Sequence, residues 1–116
     1  MKPIEITFNF LGEEYKARFW KSNYMNNGNL YIGIVTWDEE NEYFEPWCDL
    51  TVNLPGMKCE PNEAFLDTNN CAHEIISTLM NKGYIKDTSI TRQSGFCTYP
   101  LVEFTQEFLS NIDETN

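Results

Sequence analysis

The chain has 116 residues, 41% hydrophobic and 15% aromatic, and sets 18 Asp and Glu against 8 Lys and Arg for a net charge of −10. That length fits one domain with a packed core, and a charged content of 22% is too ordinary for a disordered acidic tail. The sign of the charge argues against a nucleic-acid-binding stripe and against an anionic membrane surface, and favours a basic partner.

The first residues, Met1-Lys2-Pro3-Ile4-Glu5, alternate too early for a signal peptide, and no apolar run approaches the ~18 residues of a membrane span. The reading is a cytoplasmic protein whose four cysteines, Cys48, Cys59, Cys71 and Cys97, are reduced. Ile4, Ile6, Phe8 and Phe10 alternate with polar residues, which predicts a half-buried strand. Leu11-Gly12-Glu13 is its turn, and Tyr15, Ala17 and Phe19 mark a second strand. Residues 23–29, rich in Asn and Gly, read as a loop. From Leu30 to Val35 both faces are largely apolar, so a central strand is expected. Asp38-Glu39-Glu40-Asn41 is the next turn. The chain then extends from Tyr43 to Leu54, with Cys48, Leu50, Val52 and Leu54 on one face and Trp47, Asp49, Thr51 and Asn53 on the other. Pro46 lacks a ladder donor and marks a bulge or an edge.

Ala64-Phe65-Leu66 suits a short strand. Ala72, Ile75, Ile76, Leu79 and Met80 recur at helical spacing, which predicts a helix over about 70–82 with Asn69 or Asn70 as N-cap and Gly83 as its stop. Residues 85–92 read as irregular. A last extended segment runs from Phe96 to Phe104, with a cis bond or bulge at Tyr99-Pro100. Residues 103–112 suit a short terminal helix, and 113–116 should fray. The fold class is therefore α+β: a single domain over 1–112, with a mainly antiparallel sheet of about four to six strands and one main helix packed on one face.

Little in this order carries catalysis. The cysteines stand eleven, twelve and twenty-six residues apart, without the C-x₂₋₄-C spacing of structural zinc. Residues 38–42 lack the order of a calcium loop, and no phosphate-binding glycine motif is present. No metal and no cofactor are expected. His73 is the sole histidine, so a thiol mechanism would pair it with Cys97 or Cys71. That thiol-dependent enzyme is one alternative, and a small-molecule binding module with a Tyr- and Trp-lined pocket between helix and sheet is another.

The strongest signal is local charge. Eight acids and one base, Lys58, lie between Thr36 and Glu63. Trp37, Asp38, Glu39, Glu40, Glu42, Glu45, Trp47 and Asp49 together make an aromatic centre in an acidic rim, the composition of a partner-binding surface. As a mimic of DNA the hairpin alone is too sparse, at about one charge per 6 Å of strand against one per roughly 1.7 Å of duplex. Asp67, Asn69 and Asn70 suit a strand-to-helix turn and cap.

Three segments carry a resemblance: Leu50-Thr51-Val52-Asn53-Leu54-Pro55, Ala64-Phe65-Leu66-Asp67-Thr68-Asn69-Asn70-Cys71 and Ser94-Gly95-Phe96-Cys97-Thr98-Tyr99-Pro100-Leu101. Over most of residues 30–105 the chain resembles a family of small bacterial proteins of unknown function associated with plasmids, conjugative elements and phage-like elements of gut bacteria. The resemblance implies a mobile-element setting and supplies no catalytic residue. With the charge, it leads to an acidic, non-catalytic protein that binds a basic, nucleic-acid-handling bacterial protein, with inhibition of host defence of the anti-restriction or anti-CRISPR type as one form.

Overall fold

The N-terminal alternation becomes a hairpin. In the structure, a computed structural model that describes residues 3–114, strand β1 (Glu5–Phe10) pairs antiparallel with β2 (Glu13–Asn23). Leu11 and Gly12 between them have φ of 51° and 83°. Two such left-handed residues match the twist of the strands they join. Ile6, Phe8, Ala17 and Phe19 are buried, and their polar neighbours form the outer side. Strand β3 (Leu30–Asp38) is buried along most of its length between β2 and β4 (Tyr43–Asp49). On β4, an edge strand, Pro46 lies opposite Val35 and Cys48 opposite Ile34, so Trp47 is the extra residue of a bulge. Edge and bulge are where a missing backbone donor is tolerated.

The single extended run expected from Tyr43 to Leu54 divides at Leu50. Strand β5 (Thr51–Val52) joins a second sheet, ordered β5-β6-β8-β7 with β6 (Glu63–Leu66), β7 (Ile85–Ser94) and β8 (Cys97–Phe104). Leu50 is the joint: its N–H donates to Ile32 O at 2.9 Å and its carbonyl accepts from Asp67 N–H at 2.9 Å. The division also corrects the facing of Thr51, which is buried. Its hydroxyl oxygen accepts the Ile32 N–H at 3.1 Å and lies 3.0 Å from the Tyr24 hydroxyl. A side chain thus satisfies a backbone donor where the ladder parts.

Two further expectations change in the second sheet. Residues 85–92 are not irregular but part of β7, whose residues are mostly exposed on both faces. At Tyr99-Pro100 there is neither a cis bond nor a bulge: no cis peptide occurs among the described residues, and Pro100 stays in register opposite Thr91. The pairing of β6 with β8 reaches only to Leu101, which leaves Pro100 a neighbouring strand on one side alone. The register shift falls instead between Asp87 and Ile90.

Helix α1 (His73–Asn81) begins beyond the expected caps. Ala72 holds the N-cap position without a side-chain bond, so neither Asn69 nor Asn70 caps it. Helix α2 (Gln106–Ser110) is shorter than the 103–112 expected, and Thr105 caps it by accepting the Phe108 N–H at 3.2 Å. Of the residues expected to fray, Asp113–Glu114 form β9, parallel to β2 at Trp20 and Lys21; 115–116 lie outside the described residues. The remaining strand pairs are antiparallel. The fold is thus broadly α+β, mostly antiparallel sheet with few helices.

One core cluster draws on both sheets and both helices, including Phe19, Ile34, Leu66, Ile75, Leu79, Val102, Phe104 and Phe108. Burying each such side chain contributes about 1.5–3 kcal/mol. A satellite cluster of Leu54, Phe65 and Leu101 sits under the second sheet's other face. The β2–β3 loop docks beside it through buried Asn29, whose amide donates to Met57 O at 2.7 Å and accepts the Cys59 N–H at 3.0 Å.

Candidate interaction face

The β3–β4 hairpin tip holds four of the predicted acids. Asp38 is bound up in the turn itself. Its carboxylate accepts the N–H of Glu40 at 3.0 Å, the N–H of Asn41 at 3.2 Å and the Asn41 side-chain amide at 3.0 Å. Those bonds, the Asn41 side chain's first, hold its pKa below the usual carboxylate value. Glu39, Glu40 and Glu42 are exposed and project from a turn that Asp38 fixes. Glu42 adopts φ 56° and its N–H closes the turn on Asp38 O at 2.8 Å.

Below the tip the two sides of the hairpin differ. Strand register places Trp37 beside Phe44, Val35 beside Pro46 and Gly33 beside Asp49, all on the face away from the core. Trp20 and Arg18 of β2 lie opposite Gly33 and Val35. Trp37 and Phe44 meet edge to face at 5.1 Å, and Arg18 sits 4.5 Å over the Phe44 ring while pairing with Glu5 at 3.0 Å.

The Trp47 ring is not on this face, though the residue borders it from β4. The bulge turns it inward against Phe8, Phe10 and Tyr15, with ring centroids 5.0–5.8 Å apart. Glu45 also lies on the inner side, near the tip, with the Tyr43 hydroxyl 3.5 Å away. The predicted aromatic and acidic set is therefore split between two faces.

The outer face contains a feature that spacing alone did not indicate. Trp20, Tyr31, Val35, Pro46 and Asp49 surround a cavity of about 260 Å³ floored by Gly33. The Tyr31 hydroxyl donates to Asp49 Oδ1 at 2.7 Å, and burial followed by that bond pushes the Tyr31 phenol well above its ordinary pKa. The ring lies over Gly33 so closely that a Cβ there would meet the hydroxyl oxygen at 2.4 Å. Glycine is what lets the ring lie down. Trp20 is 40% exposed at the mouth. Two aromatic walls beside a carboxylate suit a cationic group.

The thiol alternative does not assemble around the histidine. His73 is exposed, and its ring faces Ser77 Oγ at 3.1 Å. Cys71 is buried beside the Ala72 carbonyl and Cys48. Cys97 neighbours Tyr99 on the distal hairpin, raising the tyrosine pKa. Asn70 donates to both Asp67 carboxylate oxygens, at 3.2 and 3.1 Å, and Asp67 O accepts the N–H of Asn70 and Cys71. Asn69 lies next to that turn. Among the described residues no group of three or more His, Cys, Asp or Glu side chains could hold a metal ion, and no helix is long and apolar enough to cross a membrane.

A family profile matches residues 21–116. The chain belongs to that family, described as Domain of unknown function (DUF4313). The match spans the β3–β4 hairpin, the whole second sheet and the outer-face cavity except Trp20. No curated protein and no solved structure matches the chain.

Proposed function

We propose that this is a non-catalytic interaction protein that binds a basic, nucleic-acid-handling bacterial protein through the outer face of β2–β4. The observation that carries the reading is the continuity of this face. An exposed acidic tip, Glu39, Glu40 and Glu42, runs into an aromatic surface of Trp37, Phe44 and Trp20, and that surface ends in the Trp20–Tyr31–Asp49 cavity. Long-range attraction by the −10 chain steers the partner. The aromatics supply the desolvated contact area, and the cavity takes a Lys or Arg side chain. A mobile-element setting, from the family resemblance of the sequence, makes inhibition of a host defence protein a form of this function, and the cytoplasm its place.

The test is a pull-down from nuclease-treated bacterial lysate at low and high salt. Glu39→Gln/Glu40→Gln/Glu42→Gln serves as the charge variant and leaves Asp38 to hold the turn. Trp20→Ala is the second bait. Discrete basic proteins that are lost at high salt and with both variants support the reading. Undiminished capture by the charge variant overturns it.

A further inference from the structure

A different part of the molecule brings two thiols together. Cys48 follows the bulge on β4, and Cys71 ends the turn that leads into α1. They are 23 positions apart in sequence, yet both line one cavity of about 400 Å³, between Phe10 and Trp47 on one side and residues 69–72 on the other. Both lie at the Ala72 backbone: Cys71 Sγ is 3.9 Å from its carbonyl oxygen, and a backbone hydrogen bond from Ala72 helps lower the Cys48 thiol pKa. The two thiols are near enough that each shifts the other's pKa. Both are free, Cys71 buried and Cys48 half-buried. Cys71 takes no part in the interaction face, and Cys48 borders its cavity from β4.

We propose that Cys48 and Cys71 form a peroxide-responsive dithiol site, in which Cys48 is the attacking sulfur and Cys71 the resolving one.

The asymmetry assigns the roles. Cys48 is half-buried and open to a peroxide from the cavity, whereas Cys71 is buried, and the contact with Cys71 lowers the Cys48 thiol pKa. The thiolate is the nucleophile, so Cys48 reacts first. Its sulfur attacks one oxygen of a hydroperoxide, the O–O bond breaks, and the leaving oxygen departs as water or alcohol after taking a proton. Cys48 is then a sulfenic acid. The Cys71 sulfur attacks that sulfur, the S–O bond breaks, and hydroxide leaves with the Cys71 proton as a second water. Two thiols are oxidised by two electrons, one peroxide is reduced, and one disulfide remains. The crosslink ties the edge strand of the first sheet to the entry of α1 and closes off the cavity.

The probe is hydrogen peroxide, applied to the whole folded chain, with intact mass and peptide mapping as readouts. The expected product is lighter by two hydrogens, carries a Cys48–Cys71 link and is restored by a dithiol reductant. Cys59, whose thiol is pushed up chiefly by burial, and Cys97, on the distal hairpin, serve as internal controls and should oxidise at least tenfold more slowly. Cys71→Ser should stop at a Cys48 sulfenic acid that dimedone traps, and Cys48→Ser should leave Cys71 reduced. The proposal is overturned if Cys59 or Cys97 oxidises first, or if the wild-type product carries no Cys48–Cys71 link. Mapping the wild type decides the question even where a variant fails to fold.

Discussion

At the hairpin tip, single residues divide the work between shape and charge. Asp38 is acidic in composition but structural in use, since three N–H groups converge on its carboxylate. Because its folded pKa is lowered, its contribution is fully present above the ordinary carboxylate pKa and is lost as pH falls through the lowered folded value. Amide exchange at Glu40 and Asn41 should therefore stay slow from neutral pH down to roughly 4 and rise only below it; loss of protection already near pH 6 would contradict this. Glu42 is the opposite case. At φ 56° it occupies a backbone region that favours glycine, and a non-glycine residue there costs about 1–2 kcal/mol. Glu42→Gly should raise stability by roughly 1 kcal/mol in urea unfolding while weakening partner capture. A glutamate kept where glycine is more stable fits a role for its charge.

Among the elements, those with one wet face were legible and those with two were not. The β1–β2 hairpin follows directly from Ile6, Phe8, Ala17 and Phe19. Strand β7 offered no alternation, because Lys86, Asp87, Arg92 and Gln93 are exposed on a strand that pairs with β8 alone. The division at Leu50 was hidden for another reason: alternation continues through it, and only the bonds to Ile32 and Asp67 reveal that the two halves serve different sheets. At the interaction face, sequence located the acidic tip. It could not see that one bulge residue sends Trp47 inward and leaves Trp37 outside, or that Tyr31 reaches Asp49 across an unfilled glycine. Helix α2 shows how much a five-residue element can carry. Phe108 is fully buried and meets Phe19, Tyr84 and Phe104 at 5.3–5.6 Å. Phe108→Ala should cost about 3–5 kcal/mol, a large share of a typical domain's stability, whereas loss of the cap in Thr105→Ala should cost about 1 kcal/mol. Urea midpoints that show the two variants equal would mean the helix is held by its cap and not by its ring.

For the whole molecule the issue is ten uncompensated negative charges. Two ion pairs stand out among the described residues, Arg18–Glu5 at 3.0 Å and Lys21–Glu114 at 3.8 Å. Both are partly exposed, so each contributes about 0–1 kcal/mol. Salt screens these attractions and the general repulsion alike, with a Debye length that falls from about 30 Å at 0.01 M to about 8 Å at 0.15 M. Repulsion acts over the longer distances and between far more pairs, so its relief outweighs the lost attractions. The melting midpoint should therefore rise as sodium chloride goes from 0.01 to 0.15 M, by about 4 °C for a gain on the order of 1 kcal/mol. This range lies below that in which salts strengthen burial by exclusion from the surface. Partner affinity should move the other way, because the attraction that steers a basic protein is screened by the same ions. Calorimetry and binding measured across one salt series thus separate the two effects. A midpoint that falls with salt would mean that the local pairs hold the fold against its charge.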